Sequence, residues 1–301
     1  FTINSEYDYE SGSFNSTLKS KAVPGKTVTV KIGYESDTTM VFKGFIASVD
    51  IQLDVENGIF FTVTALDARR LMMTDNKPYI IYSKQNYSDI IKEIMTRYAA
   101  LCSFDCDATN DKLEDTVCQR ESDYDFITKT VIGEGKAERE FFIVADKAYF
   151  RKPKSISSPA VTIGINSGLK SFSRSLNYLN KTFEVHGYNP DTESKVIGTY
   201  TAEGGDGQAN VIKAGVTVIP MADCKTKTDA DEAAKSMAAK EESENKKANG
   251  TCIGMPEIVP GRFLKISDVD SLINKKFYVT DVTHTINYNG FLTSFAAEGW
   301  E

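Results

Sequence analysis

Four sets of residues carry side chains suited to chemistry, and in each the spacing argues against it. Pro24-Gly25-Lys26-Thr27 contains the Gly-Lys-Thr of a phosphate loop, where backbone N–H groups cradle phosphate and the lysine neutralises it. That loop needs a glycine five positions before Gly25, where this chain has Ser20, and a helix after it, where this chain alternates like a strand. Asp105, Asp107 and Thr109 echo a calcium loop, but its sixth and twelfth positions fall on Asn110 and Thr116 in place of glycine and glutamate. Cys102, Cys106 and Cys118 are potential zinc ligands, yet they lack the two-residue spacing of a zinc knuckle and have no histidine nearby. His186 and His284 are the only histidines; both lie in strand-like segments without an HExxH pattern. Among 42 acidic residues no pair stands out as an acid and base. The expectation is a chain with no catalytic residue, no metal and no cofactor.

Composition agrees. At 301 residues the chain is long enough for more than one core, and 41% hydrophobic with 26% charged residues is ordinary for a globular protein. A net charge of -7 argues against a basic nucleic-acid surface. The five cysteines form an odd, sparse set, as expected of a protein made in a reducing cytoplasm. No apolar run approaches the roughly 20 residues of a membrane helix. Nothing resembles a secretory leader, and the absence of an initial Met leaves open what precedes Phe1.

The elements that position these residues repeat. Pro24–Gly33 is followed by Phe42–Glu56, an Asn57-Gly58 dipeptide and Ile59–Asp67; Pro260–Val269 is followed by Phe277–Tyr288, Asn289-Gly290 and Phe291–Gly299. From the proline to the aromatic is 18 residues in the first copy and 17 in the second, and the second hairpin arm is shorter by three. Val28, Val30 and Ile32, and their counterparts Phe263, Leu264 and Ile266, mark half-buried strands. Each Asn-Gly suits a type I′ turn, in which both central residues have φ > 0. In the first arm, Phe45, Ala47, Val49 and Ile51 form one expected face. Each copy is expected to be a small β-barrel, marked by Pro24, Gly25, Asn57, Gly58, Pro260, Gly261, Asn289 and Gly290.

The fold class expected is therefore β-rich α+β, with a first tube-like barrel over 1–73, an α+β domain over 74–153, a second barrel from 154–200 and 250–301, and a helical insertion over 201–249. Residues 1–22 read equally as an arm or an edge strand. A helix is predicted from Ser88-Asp89, with Ile90, Ile91, Ile94, Met95 and Tyr98 on one face and the Ser88 hydroxyl capping it. A second starts at Ser122, buries Tyr124, Phe126, Ile127 and Val131, and ends at Gly133 and Gly135. Arg139–Pro153 reads as a hairpin. Gly204, Gly205 and Gly207 mark a loop, and Asp229–Ala248 is the clearest helix. Thr228 and Asp231 have capping-box spacing, the apolar face is alanine and methionine, and Gly250 stops the helix.

Two stretches resemble one family. Gln119, Glu121, Ser122 and Asp123, with Phe126 after them, resemble the Q…E-S-D…F element of the phage late control protein D and VgrG-like baseplate hubs. Pro260-Gly261, Ile266, Tyr278, Val279, Val282 and His284 resemble that family's barrel segment. The resemblance spans most of the chain in order; the Cys102–Cys118 loop and the Ile132–Lys136 helix exit do not match it. No spike repeat or lysozyme-like segment follows Trp300, so the nearest relatives implied are hubs whose spike is a separate chain.

The resemblance implies a structural hub of a phage tail or contractile injection particle, made in the bacterial cytoplasm and assembled into a baseplate. It implies a homotrimer whose two barrels per chain form a pseudo-sixfold ring. The partners implied are a tail tube protein, a trimeric spike protein and other baseplate proteins. A tail-associated peptidoglycan hydrolase and a β-rich carbohydrate-binding or adhesin module are the alternatives.

Overall fold

Two stretches of alternating sequence fold into long antiparallel hairpins, one in each of the units Phe1–Ser155 and Ile156–Glu301 into which the chain divides. The computed structural model describes residues 1–3, 7–54, 58–74, 79–109, 116–133, 137, 139–205, 208–209, 213–222 and 224–300. It is mostly β, with two curled, half-barrel sheets and few helices.

The first unit begins with β1 (Thr2–Ile3), β2 (Tyr7–Asp8), β3 (Ser13–Phe14) and the short helix α1 (Ser16–Lys21). Of the two readings of the N-terminal stretch, the edge strand holds for β1, which pairs with the second arm of the hairpin. The hairpin comprises β5 (Asp37–Asp54) and β6 (Gly58–Leu66), flanked by β4 (Thr27–Tyr34), in a sheet of order β1-β6-β5-β4. Then come α2 (Ala68–Met72), β7 (Ile80–Tyr82), α3 (Tyr87–Thr96), β8 (Ser103–Cys106) and β9 (Val117–Gln119). Helix α4 (Asp123–Asp125) runs directly into a π-helix over Phe126–Gly133, followed by β10 (Glu140–Val144) and β11 (Lys147–Arg151).

The stripe predicted for α3 is the core of this α+β part: Ile90, Ile91 and Ile94 are fully buried against Phe126, Ile127 and Phe150. Its start differs from expectation. The N-cap is Asn86, and Ser88 is buried inside the helix, its N–H donating to Thr109 Oγ1 at 3.1 Å. The predicted hairpin of Arg139–Pro153 is β10–β11, with β8 added in parallel.

The second unit comprises β12 (Pro159–Gly164), a 3₁₀ turn (Ile165–Ser167), β13 (Leu169–Arg174), β14 (Asn180–Asn189), β15 (Ser194–Glu203) and β16 (Gly215–Pro220). After them come α5 (Lys227–Asn245), β17 (Lys247–Ile253), β18 (Phe263–Ser267), β19 (Lys276–Asn287) and β20 (Gly290–Trp300). The main sheet runs β12-β18-β19-β20-β17-β13. Residues 154–200, expected to lie wholly in this barrel, do not: β14 and β15 form a separate sheet with β16. Ala230, Ala234 and Ala238 of α5 are fully buried in the same cluster as Phe183 and Val185 of β14. Only alanines fit there, because Gly198 of β15 touches the α5 backbone; a Cβ on it would lie 2.1 Å from Ala230 C.

Two further expectations about α5 are corrected. Its capping box uses Thr226 and Asp229, two residues before the predicted pair, while Asp231 bonds Lys227 Nζ at 3.0 Å and the Thr199 N–H at 3.1 Å. The helix ends at a Lys246 cap, and Gly250 lies inside β17. Gly250 is required there because a Cβ would meet the Phe295 ring at 2.4 Å.

Each hairpin starts from a Pro-Gly turn with the same bonds. Gly25 N–H donates to Ile46 O at 2.8 Å and Ile46 N–H to Lys26 O at 2.8 Å; Gly261 N–H donates to Val279 O and Val279 N–H to Arg262 O, both at 2.9 Å. Ile46 pairs with Ala65 and Val279 with Ala297, and in both ladders a bulge follows at once, before Ser48↔Thr64 and Asp281↔Ala296. From there both pairings run without a break, to Asp54↔Gly58 and to Asn287↔Gly290. The paired arms past the bulge are thus equally long, and the second is not shorter by three. The length difference lies in the link between the first and second strands and in the turn.

The bulge also corrects the expected face of Phe45, Ala47, Val49 and Ile51. One extra residue re-aims everything before it, so Phe45 lies on the face of Ser48 and Asp50 while Ile46, Val49 and Ile51 share the other. Nor is the Asn289-Gly290 turn type I′. Tyr288 and Asn289 form its centre, and of the two dipeptide residues only Gly290 has positive φ, +110°. Gly58 has φ +84°; Asn57, Gly135 and Gly207 lie outside the described residues.

No neighbouring atom would obstruct a side chain at Gly290, so its φ alone sets the cost of replacing it. Gly290→Val is expected to lower stability by about 1–3 kcal/mol, read as a reduced urea midpoint. An unchanged midpoint would show that the turn relaxes to another conformation.

Candidate functional site

The Q-E-S-D motif folds around one buried carboxylate. Asp123 is fully buried, and both its oxygens are engaged: Arg97 Nη1 donates at 2.8 and 2.9 Å, Tyr98 Oη at 2.6 Å and Gln119 Nε2 at 2.7 Å. Gln119, also fully buried, accepts from Tyr82 Oη at 3.1 Å. The end of α3, the strand pair β7–β9 and the start of α4 thus meet on one side chain. A buried carboxylate so surrounded leaves no polar atom facing apolar surroundings. Burial works to lower the Arg97 pKa, but the bonds and charge of Asp123 outweigh it and raise it.

The rest of the motif terminates elements. Ser122 Oγ caps α4 by accepting from Asp125 N–H at 3.2 Å, and Phe126 is fully buried in the core. Burial tends to raise the Glu121 pKa, but hydrogen bonds from Thr130 and from the Arg120 and Glu121 N–H groups prevail and lower it. The motif leaves no free nucleophile or base. Arg97, Tyr98 and Tyr82, which hold it together, are separated from it in sequence; Tyr98 reads only as part of the α3 face, and Arg97 and Tyr82 carry no local signal.

The other candidate residues are dispersed. Lys26 and Thr27 lead into β4, and the Gly25 N–H is taken by Ile46 O, so no amides are left to cradle a phosphate. Asp105 pairs with Lys147 at 2.8 Å, Asp107 accepts from Lys152 N–H at 3.0 Å, and Thr109 is buried beside Ser88; Asn110 lies outside the described residues. The five cysteines are free thiols. Cys102 belongs to the α3 core, while burial pushes the Cys106 and Cys252 thiols up to about 11. Among the described residues no group of three or more His, Cys, Asp or Glu could hold a metal ion. His186 bonds Glu184 on β14.

His284 lies on the second hairpin. The fully buried Thr293 Oγ1 accepts from Met255 N–H at 2.9 Å and lies 2.9 Å from His284 Nδ1. Gly254 closes on the same place: its N–H donates to Phe291 O at 2.9 Å, and a Cβ would lie 2.0 Å from the Phe291 ring. Burial lowers the His284 pKa, opposed by the charge of Glu257.

The faces of the hairpins turned away from their cores match. Past the bulge, Ser48↔Thr64 and Asp50↔Thr62 form two cross-strand rows on β5–β6. On the other sheet the rows are Ser173–Asn249–Ala296–Asp281 and Ser171–Thr251–Ser294–Thr283, across β13, β17, β20 and β19. These two rows line an open groove of about 420 Å³. Its walls are mostly hydroxyls and small side chains, with Phe172 and Phe295 also lining it and Asp281 the one charge.

A sequence model described as the Alg8 N-terminal domain matches residues 3–288. The chain belongs to the Alg8 N-terminal domain family. No curated protein sequence matches. Among solved structures, the 43 kDa tail protein of prophage MuSo2 from Shewanella oneidensis is 11% identical at a TM-score of 0.69, covering 99% of this chain and 88% of that one. The tail protein from Neisseria meningitidis MC58 is 11% identical at a TM-score of 0.65, covering 92% and 89%. An E. coli component of the type VI secretion system, described as similar to the T4 tail proteins gp27 and gp5, is 12% identical at 0.58, covering 100% and 68%. This member of the Alg8 N-terminal domain family therefore has a phage-tail and baseplate fold. No helix among the described residues is long and apolar enough to cross a membrane.

Asp123→Ala leaves Arg97, Tyr98 and Gln119 facing an empty buried site. It is expected to cost about 3–5 kcal/mol in urea unfolding, whereas Lys129→Ala, which breaks the exposed pair with Asp125, should cost under about 1 kcal/mol. Equal effects would refute the keystone role of Asp123.

His284 has a depressed folded pKa, so the unfolded chain binds its proton first as pH falls. Its contribution is intact above the unfolded value of about 6.5 and is lost below it as pH falls through the folded value. Between pH 7.5 and 5.5 the native protein should lose more Tm than His284→Gln; parallel profiles would show that His284 is not buried neutral.

Proposed function

We propose that the chain is a baseplate hub: a homotrimer in which two hairpin-bearing sheets per chain make a pseudo-sixfold ring between a tail tube and a trimeric spike. The observation that carries this reading is the matched register of the hairpins, down to the Pro-Gly turn bonds and the position of the bulge. Equal arms and equal bulges in one chain are what an internal duplication leaves behind. A threefold assembly that must meet a sixfold tube needs two equivalent contact sets per subunit, and duplication supplies them. The likeness to the E. coli type VI component, itself described as similar to the T4 tail proteins gp27 and gp5, supports a place in a tail or tail-like particle.

The role is mechanical. The Q-E-S-D residues serve the interior of the first unit, which fits an adaptor and leaves nothing free for catalysis. Of the alternatives, a hydrolase would need a reactive pair, and an adhesin would work as a free monomer.

Light scattering should give the mass of a trimer, either for the chain alone or with a spike protein from the same particle. A stable monomer or dimer in the presence of the spike would refute the hub reading.

A further inference from the structure

Building on the hub reading, we propose that the hydroxyl-rich face of each hairpin is the lumen surface of the ring, with Asp50 and Asp281 as its charged groups. Each hairpin has two faces, and burial decides one of them. Ile46, Phe61 and Val63 are buried on the first, and Val279, Phe295 and Ala297 on the second. The opposite face carries Ser48, Asp50, Thr62 and Thr64 on the first hairpin and Asp281, Thr283, Ser294 and Ala296 at the matching positions of the second, and nearer the tips it continues with Gln52↔Phe60 and Thr285↔Leu292.

What that face lacks assigns its surroundings. A surface that holds a protein partner is built around aromatic, methionine or arginine anchors, and the two rows next to each bulge contain none, Phe60 standing in the row beyond them. A surface open to bulk solvent mixes lysine with acidic residues, and these positions contain no cation. The outward face of the β14–β16 sheet shows the contrast, since Ile197, Val216 and Val218 are 40%, 58% and 53% exposed there. Short hydroxyls with one carboxylate per hairpin hold water without gripping a passing chain, as the wall of a conduit requires.

Shape agrees with chemistry. On the second sheet the face is hollow, a groove of about 420 Å³ extending over four strands. The bulge beneath Ser48 and Asp281 adds curl at the same point in both hairpins.

The test uses full-length chain with Cys106→Ser and Cys118→Ser, which removes the two thiols that are not buried. Thr62→Cys and Ser294→Cys are made separately, with Thr283→Cys in reserve should either fail to fold. Each is labelled with a maleimide gold cluster and imaged by electron microscopy down the symmetry axis, after light scattering has established the mass. Gold density inside the ring is expected for both positions. Gold on the outer rim, or a trimer in which either cysteine is sealed from the reagent, would overturn the lumen assignment while leaving the hub intact. A labelled protein that is not a trimer even with its spike would overturn the hub reading itself, and the lumen assignment with it.

Discussion

A single extra residue in each of two strands decides how the sheets of this chain present themselves. Side chains alternate with a period of two, so a ladder slipped by one residue would move every core residue of the hairpin to the other face. The bulges after Ile46 and Val279 make that shift at the same place in both hairpins, and the second ladder has one more shift, between Phe277 and Tyr278. Before the bulge, Phe45 packs against the α3 core and Tyr278 stacks edge-on with Phe263. Beyond it, the same faces carry serine, threonine and aspartate. One strand can thus serve a packed base and a wet outer half, which an unbroken alternation could not combine on one face.

The other fixed point of the first unit is electrostatic. Three donor side chains on Asp123 tie together segments that also share the α3 core, and a carboxylate does this with more directional precision than packing alone. Its desolvation is costly, so it adds less to stability than its bonds suggest, while its removal is expensive. That asymmetry explains how a degenerate motif can mark a fold. Gln119, Ser122, Asp123 and Phe126 are separately ordinary residues, and each is needed where it stands for a different reason: acceptor and donor, cap, keystone, core.

Local patterns in the sequence were legible where a local interaction decides the outcome. The α3 stripe, the Ser122 cap, the alanine face of α5 and the alternation of both hairpins all follow from side-chain period or from one nearby bond. Where two local choices were equivalent, distant partners chose. Thr226 with Asp229 and Thr228 with Asp231 have the same residue types and spacing; the helix starts at the first pair because Asp231 is taken by Lys227 and by the Thr199 N–H of a strand. Gly250 reads as a helix stop but is a glycine made necessary by Phe295, far along the chain. The bulges have no signature of their own, since they depend on which strand lies alongside. Of the motif cluster, sequence showed the residues that cap and fill, but not Arg97, Tyr98 and Tyr82, which only the fold brings to it.

The two outward faces match in composition but not position by position, and the difference bears on how a ring of them would behave. By the shared register Asp50 corresponds to Thr283, and Asp281 to Ser48. The carboxylates therefore sit two residues apart along equivalent strands, about 7 Å at the usual strand rise. In a ring that alternates first and second hairpins, neighbouring carboxylates would stand at two levels, farther apart than if both occupied one position. Like charges repel less at the greater distance, and water between them screens what remains. Carboxylates at separate positions of the two hairpins would keep the face weakly acidic without concentrating the charge. Selection on such a face would act on its sum, hydroxylated and free of cations, more than on any single residue.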